Sequence, residues 1–291
     1  MGSKKWSLVI TVLAVGVAGC VPFYRPLGEA PMRYRDAIFE NVTTTSDVIY
    51  GSAVDQQGQT VSLTLDIYKP TGDSVTRRPA VVWVHGGSFA MGSKTSPELV
   101  EQATTLAKKG YVNVSIKYRL STGGCSASAA TTSCVTAIQH AMHDAQAAVR
   151  FLRANATLYG IDEQRIAIAG TSAGAITALN VAFNTEDVGT SGNPGYSSSV
   201  RAAVSLSGAK ILGTANPGEA AIHMFHGTSD GLVPYSWATN TLNEAKSAGL
   251  HAYLTTWSNA VHVPYVEHRT EILDQTSNFL FWELDLSHAA R

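Results

Sequence analysis

The chain has 291 residues, of which 45% are hydrophobic and 15% charged, with a formal net charge of −1. That balance suits a globular protein with a substantial core and excludes the strongly basic surface that nucleic-acid binding requires. No internal repeat, charge block or interior linker divides it, so one large domain is expected over residues 47–291.

At the start, Lys4 and Lys5 precede an apolar run from Leu8 to Ala18 that ends in Val17-Ala18-Gly19-Cys20. The run is 11 residues long, whereas a spanning helix needs about 20, so it reads as a signal rather than a transmembrane anchor. It resembles a bacterial lipoprotein signal with its lipobox. The resemblance implies removal of residues 1–19, lipidation of Cys20 and an extracytoplasmic, membrane-anchored protein of the cell envelope. An ordinary secretory signal is the alternative. Cleavage takes away Lys4 and Lys5 and no acid, moving the net charge from −1 to −3. Residues 20–46, irregular and carrying Phe23, Tyr24, Tyr34 and Phe39, are expected to be a tether or a partial cap over a pocket.

Beyond this, Val61, Leu63, Leu65 and Ile67 alternate with Ser62, Thr64 and Asp66, the period of a half-buried antiparallel strand, and Val48 to Val54 should pair with it. The pattern then changes to short apolar runs: Ala80–Val84, Tyr111–Ile116, Arg165–Ala169, Ala202–Leu206, Ala221–Phe225 and Ala252–Trp257. Helices are expected between them, at Pro97–Lys109, Thr136–Asn155, Ala173–Phe183, Tyr235–Ala248 and Tyr265–Trp282. In the second of these, Ile138, Met142, Ala145, Val149 and Leu152 share one face. Strands alternating with helices predict an α/β fold: a mostly parallel sheet of about eight strands with helices on both faces. Cys125 and Cys134 lie in or beside the polar loop from Ser121 to Ser133. In an exported chain such a pair is most simply a disulfide, contributing about 3 kcal/mol or less by loop closure. Two free thiols are the alternative.

Three positions carry the chemistry. Ser172 is the centre of Gly170-Thr171-Ser172-Ala173-Gly174, at the corner between an apolar strand and a small-residue helix. Such a corner forces the serine into a strained conformation that exposes its Oγ. Upstream, His85-Gly86-Gly87-Ser88-Phe89 follows a strand and offers backbone N–H groups for a developing oxyanion; Gly86, Gly87 and Ala173 are the candidate donors, with Ser88 assisting. Downstream, Asp230 and His262 sit in loops after strands, giving the order Ser, Asp, His.

Together these residues resemble the α/β-hydrolase carboxylesterases and lipases with a His-Gly-Gly oxyanion motif, the group of hormone-sensitive-lipase-like and xylan-side-chain esterases. Leu65-Asp66-Ile67-Tyr68-Lys69-Pro70, Lys117-Tyr118-Arg119-Leu120, the helix from His143 to Ala156, Tyr159-Gly160-Ile161-Asp162, His226 to Pro234 and Val261-His262 extend the likeness over roughly Asp47 to Leu284. Ser88 departs from the pattern, standing where many relatives have a third glycine. The resemblance implies an ester hydrolase in which Ser172 attacks, His262 is the base and Asp230 orients it, with no metal or organic cofactor and no obligate protein partner. Asp187 and Glu267 are reserve acids, and Asp144 is expected in a salt bridge at a helix start. Among the other histidines, His85 is expected to be structural and His226 to hydrogen-bond the acid loop. Only about a dozen residues separate Leu206 from Ala221, too few for a multi-helix lid, so the pocket should be open and suited to short acyl esters such as acetyl or feruloyl. A related hydrolase of peptides, amides or lactones would use the same residues; a non-catalytic surface lipoprotein would need none of them.

Overall fold

A computed structural model describes residues 30–125 and 131–289; the signal segment and Cys20 lie outside them. The elements are β1 (Val42–Val54), β2 (Thr60–Pro70), β3 (Arg78–Val84), α1 (Pro97–Lys108), β4 (Val112–Ile116), α2 (Thr132–Ala154), α3 (Ala156–Tyr159), β5 (Ile161–Thr171), α4 (Ala173–Ala182), β6 (Ala202–Leu206), β7 (Ala221–Gly227), α5 (Tyr235–Ser247), β8 (Ala252–Trp257) and α6 (Tyr265–Glu283). Eight strands form one sheet in the order β1-β2-β4-β3-β5-β6-β7-β8. β2 is antiparallel to both β1 and β4, and every later pairing is parallel.

The continuous apolar runs are explained by burial on both faces. Along β3, Ala80, Val82 and Val84 enter a core shared with α2 and α4, while Val81 and Trp83 enter a second core shared with α1 and α6. Each such fully buried valine contributes about 1.5–3 kcal/mol relative to exposure. Trp83 brings a polar atom into that core, and its indole N–H donates to Asn113 Oδ1 on β4 at 3.0 Å. Among the described residues no helix is long and apolar enough to cross a membrane.

Three local readings are corrected. First, the described part of the expected tether, residues 30–46, packs onto the domain. The Tyr34 ring is buried against Tyr111, its N–H donates to the Lys109 carbonyl at 2.7 Å, and Arg33 forms an ion pair with Asp73. These contacts lie at the N-terminal edge of the parallel strands, the end remote from Ser172, so this stretch does not cap a pocket there. Second, α2 begins four residues earlier than periodicity indicated, because Thr131 Oγ1 caps the Cys134 N–H at 3.2 Å and draws Cys134 into the first turn. Third, Asp144 is in the interior of α2, fully buried, where its carboxylate receives the guanidinium and backbone N–H of Arg119 and the hydroxyl of Ser191. It has the expected ion pair but not at a helix start.

Candidate active site

The C-terminal edge of the sheet gathers loops that sequence places far apart. β5 ends at Thr171 and α4 starts at Ala173, so Ser172 alone makes the corner, with φ 55° and ψ −117°. A non-glycine residue in that region is strained and persists only where its surroundings hold it. Part of the hold is the Ser172 N–H, which donates to the Leu206 carbonyl at the end of β6 at 2.8 Å. Another part is Gly174, where any Cβ would collide with the carbonyls of Val84 and His85. Its bare Cα lets the first turn of α4 press against the end of β3, bringing the loop from His85 to Phe89, the candidate oxyanion loop, beside the serine.

That loop is itself built of unusual conformations. Gly87 has φ 115°, and a Cβ there would strike the Met91 carbonyl. Its own carbonyl accepts from the N–H groups of Ala90 and Met91, both at 3.0 Å. Ser88 and Phe89 follow at φ 52° and 61°. Buried Tyr118 supports the turn from below: its hydroxyl donates to the His85 carbonyl at 3.1 Å and its ring stacks on the His85 imidazole, 4.3 Å between centroids. His85 Nδ1 donates to the Gly86 carbonyl at 2.8 Å, and burial holds its pKa below the usual value, so His85 is a neutral structural side chain as expected. A Cβ on Gly86 would sit 3.2 Å from the Cβ of Ser172, which measures how closely the loop abuts the corner.

His262 joins the two polar partners. Its Nδ1 lies 2.8 Å from Asp230 Oδ2 and its Nε2 2.7 Å from Ser172 Oγ. A carboxylate can only accept, so Nδ1 carries the proton, leaving Nε2 to accept from the serine hydroxyl. Burial alone would raise the Asp230 carboxyl. Hydrogen bonds from His226, His262 and the N–H groups of Val233 and Leu232 outweigh that cost and hold it well below the usual carboxylate range. His226 Nε2 stands 3.2 Å from Asp230 Oδ2 and 2.9 Å from the Val233 carbonyl; this is the expected bond to the acid loop. The reserve acids are elsewhere: Asp187 pairs with His143 at 2.8 Å, and Glu267 is exposed at the start of α6.

The corner opens into a cavity of about 270 Å³. Ser88 and Ser172 give it hydroxyls beside Phe89 and Ala173, and Ile138, Ile176, Ile211, Val233 and Trp237 give it apolar walls. Cys125 and Cys134, joined in a disulfide, line it too. No helix crosses from β6 to β7, as the short interval required.

Two supports escaped the sequence reading. Ser207, just past β6, accepts the Val263 N–H on its Oγ at 3.0 Å and so anchors the loop carrying His262. Its only signal was a serine directly after a strand at the edge where ligands gather. The amides of Ser121 and Cys125, which donate to the carbonyls of Phe89 and Ser88 at 2.7 and 2.8 Å, left no mark in the sequence at all. No cluster of three or more His, Cys, Asp or Glu side chains suited to a metal occurs among the described residues.

The chain is similar to known proteins. Residues 65–215 match the family model BD-FAE, more than half of the chain. The chain is 36% identical over 124 residues to Carboxylesterase 3B of Mus musculus, covering 39% of this chain and 19% of that one. It is 32% identical over 121 residues to Phenmedipham hydrolase of Pseudarthrobacter oxydans, covering 41% and 23%. The matched stretch thus spans about a fifth of these curated relatives. In fold it is similar to esterase 2 of Thermogutta terrifontis. The form phosphonylated by cyclosarin superposes with a TM-score of 0.69 at 23% identity, over 81% of this chain and 93% of that one. The butyrate-bound form gives 0.68 at 22%, over 79% and 93%. With Ser172 and the loop from His85 to Phe89 both inside the matched stretch, the chain belongs to the BD-FAE family, on the α/β-hydrolase fold of esterases and lipases.

Proposed function

We propose that this protein is a serine carboxylesterase acting on soluble esters of short or aromatic acyl groups. The observation that carries the reading is the unbroken chain from Ser172 Oγ through His262 to the Asp230 carboxylate, at 2.7 and 2.8 Å. In it, His262 Nε2 takes the serine proton as Oγ attacks the ester carbonyl, and the imidazolium is stabilised by Asp230, which the surrounding donors keep ionised. The backbone N–H groups of Gly87 and Ala173, with Gly86 or Ser88 assisting, receive the negative oxygen; losing one such donor typically costs about 3–4 kcal/mol of transition-state stabilisation. His262 then returns the proton to the leaving alcohol, and water cleaves the acyl-enzyme by the same steps in reverse order.

Acyl preference is read from the cavity. About 270 Å³ with apolar walls beside Ser172 is at the small end of ligand pockets, which favours a short chain or one aromatic ring. The butyrate and propionate bound to the Thermogutta terrifontis esterase accord with this. Hydrolysis of p-nitrophenyl acetate, butyrate and decanoate, beside Ser172→Ala, tests the proposal. Turnover should fall towards decanoate and drop by about 10⁴-fold or more in the variant. Faster hydrolysis of long-chain triglyceride emulsions than of soluble short esters would defeat the acyl assignment, and turnover surviving in Ser172→Ala would defeat the mechanism.

We also propose that Cys20 is diacylated and anchors the enzyme at the cell envelope, on the strength of Lys4, Lys5, the apolar run and the Gly19-Cys20 junction. Mass spectrometry of the mature N-terminus checks this, and any first residue other than lipidated Cys20 refutes it.

A further inference from the structure

The disulfide between Cys125 and Cys134 lies in the wall of the cavity that also exposes Ser172. On one side, the Cys125 N–H donates to the Ser88 carbonyl at 2.8 Å, and four residues earlier the Ser121 N–H donates to the Phe89 carbonyl at 2.7 Å. Ser88 and Phe89 are the two consecutive residues at positive φ that shape the oxyanion loop. Neither residue type rests in that region unaided, so their conformation depends on what grips them. On the other side, Cys134 lies in the first turn of α2, and the next pocket-lining residues of that helix are Val135 and Ile138. The bridge therefore ties the segment that grips the oxyanion loop to the helix that forms the acyl wall. Cys134 is 5% exposed, while Cys125 is only half-buried at the cavity and can be reached by a small reductant.

We propose that the Cys125–Cys134 disulfide is a positioning and specificity element of the active site, so that its reduction lowers turnover and relaxes the choice of acyl group without unfolding the domain. This rests on the ester-hydrolase reading above. In the reduction a thiolate of an external dithiol attacks one cysteine sulfur and expels the other as thiolate, giving a mixed disulfide. The dithiol's second thiolate then closes on its own sulfur and releases the remaining cysteine. Two electrons and two protons pass to the protein, which gains two thiols, and the dithiol ends as a cyclic disulfide. With the bridge open, the 121–125 segment and the first turn of α2 separate from each other's control. The oxyanion donors then lose registry with Ser172, and the cavity widens on the α2 side.

The experiment compares native enzyme, enzyme reduced with dithiothreitol and alkylated, and Cys125→Ala/Cys134→Ala, on p-nitrophenyl acetate, butyrate and decanoate, with circular dichroism followed during reduction. Opening the bridge should lower kcat on acetate by about 10- to 100-fold, the scale of a small misplacement of catalytic groups. It should also raise the decanoate-to-acetate ratio of kcat/KM by about tenfold, the scale of one methylene in an apolar pocket. Both changes should appear while the dichroism remains native. An unchanged kcat and an unchanged acyl ratio would overturn the proposal. So would activity lost only in step with the dichroism, since the bridge would then be a general staple of the fold. Native enzyme without any ester turnover would instead overturn the esterase reading on which the proposal stands.

Discussion

The two edges of the sheet are weighted differently. At the C-terminal edge, Ser88, Phe89, Ser172, Ser207, Asn259 and Val263 are six of the ten non-glycine residues at positive φ among the described residues. At the N-terminal edge the chain is tied down by charge. Arg33 and Arg78 share Asp73, Arg77 and Arg165 share Asp162, and Arg165 also reaches the Leu284 carbonyl at 3.0 Å. Strain raises the free energy of the folded state, and buried paired charges resist its opening; most of the strain gathers at the edge of Ser172, where the buried Arg119–Asp144 pair helps to hold it, while the ion pairs of the other edge fasten the helix ends and the entering chain. If this division is correct, substitutions at the first edge should change rate with little loss of stability, and substitutions at the second should do the reverse.

The largest effect should come from Asp230→Asn. It keeps the side chain's shape but reverses the donor and acceptor roles facing His262, so kcat on p-nitrophenyl acetate should fall by about 10³- to 10⁴-fold with the melting temperature little changed. Asp187→Asn should leave kcat as it was, since Asp187 serves His143. Equal losses in both variants would show that His262 is not oriented by Asp230.

At the other edge, Asp73→Ala leaves Arg78, whose side chain is 7% exposed, without its carboxylate partner. Breaking a buried ion pair costs about 3–5 kcal/mol; the carbonyls of Tyr159 and Gly160 still accept from Arg78, so about 3 kcal/mol is expected in a urea titration, with kcat unchanged. A matching fall in kcat would mean that the two edges are mechanically coupled and the division is false.

His223 lies between these extremes, inside β7 and 1% exposed. Burial lowers its pKa to about 4, against a hydrogen bond with Gln275 that raises it. The unfolded value is about 6.5, so the unfolded chain binds the extra proton first, and stability conferred by the neutral ring is complete above about pH 6.5 and is lost as pH falls towards 4. The full loss is about 3 kcal/mol. His223→Gln should flatten the dependence of unfolding free energy on pH over that window; an unaltered slope would show that the native ring accepts its proton normally.

What the sequence made legible follows the range of the interactions involved. The run Ala80–Val84 announced its strand because both faces of β3 are buried, and Ser172, Asp230 and His262, whose side chains the structure brings together, could be singled out because each lies in a loop past a strand end. Tyr34 was not found, because its partner Tyr111 is remote in sequence and an isolated aromatic carries no period. The early start of α2 depends on one side-chain cap at Thr131, whereas polarity made the same residues look like loop. Asp144 was assigned a charge partner without a place, since Arg119 belongs to a different element. Features that needed two distant segments to meet were the ones left out.

Ser207 offers the finest test of the division between edges, because it touches none of the reacting atoms. Its Oγ accepts the Val263 N–H at 3.0 Å, and its own N–H donates to the Phe225 carbonyl at 2.8 Å. Val263 is a β-branched residue at φ 53°, a conformation seldom kept without an external hold. Ser207→Ala removes the acceptor and leaves the backbone anchor, so the loop should relax while His262 remains near its place. A net hydrogen bond is worth about 1 kcal/mol, which predicts a fall in kcat of about fivefold, a KM close to the native value and a melting temperature within a few degrees. Ser207→Cys, which keeps a weaker acceptor on an unbranched side chain at φ 59°, should recover part of the rate. Recovery separates a lost hydrogen bond from a general disturbance of β6; if cysteine is as slow as alanine, the packing of that strand end, rather than the bond to Val263, sets the position of His262.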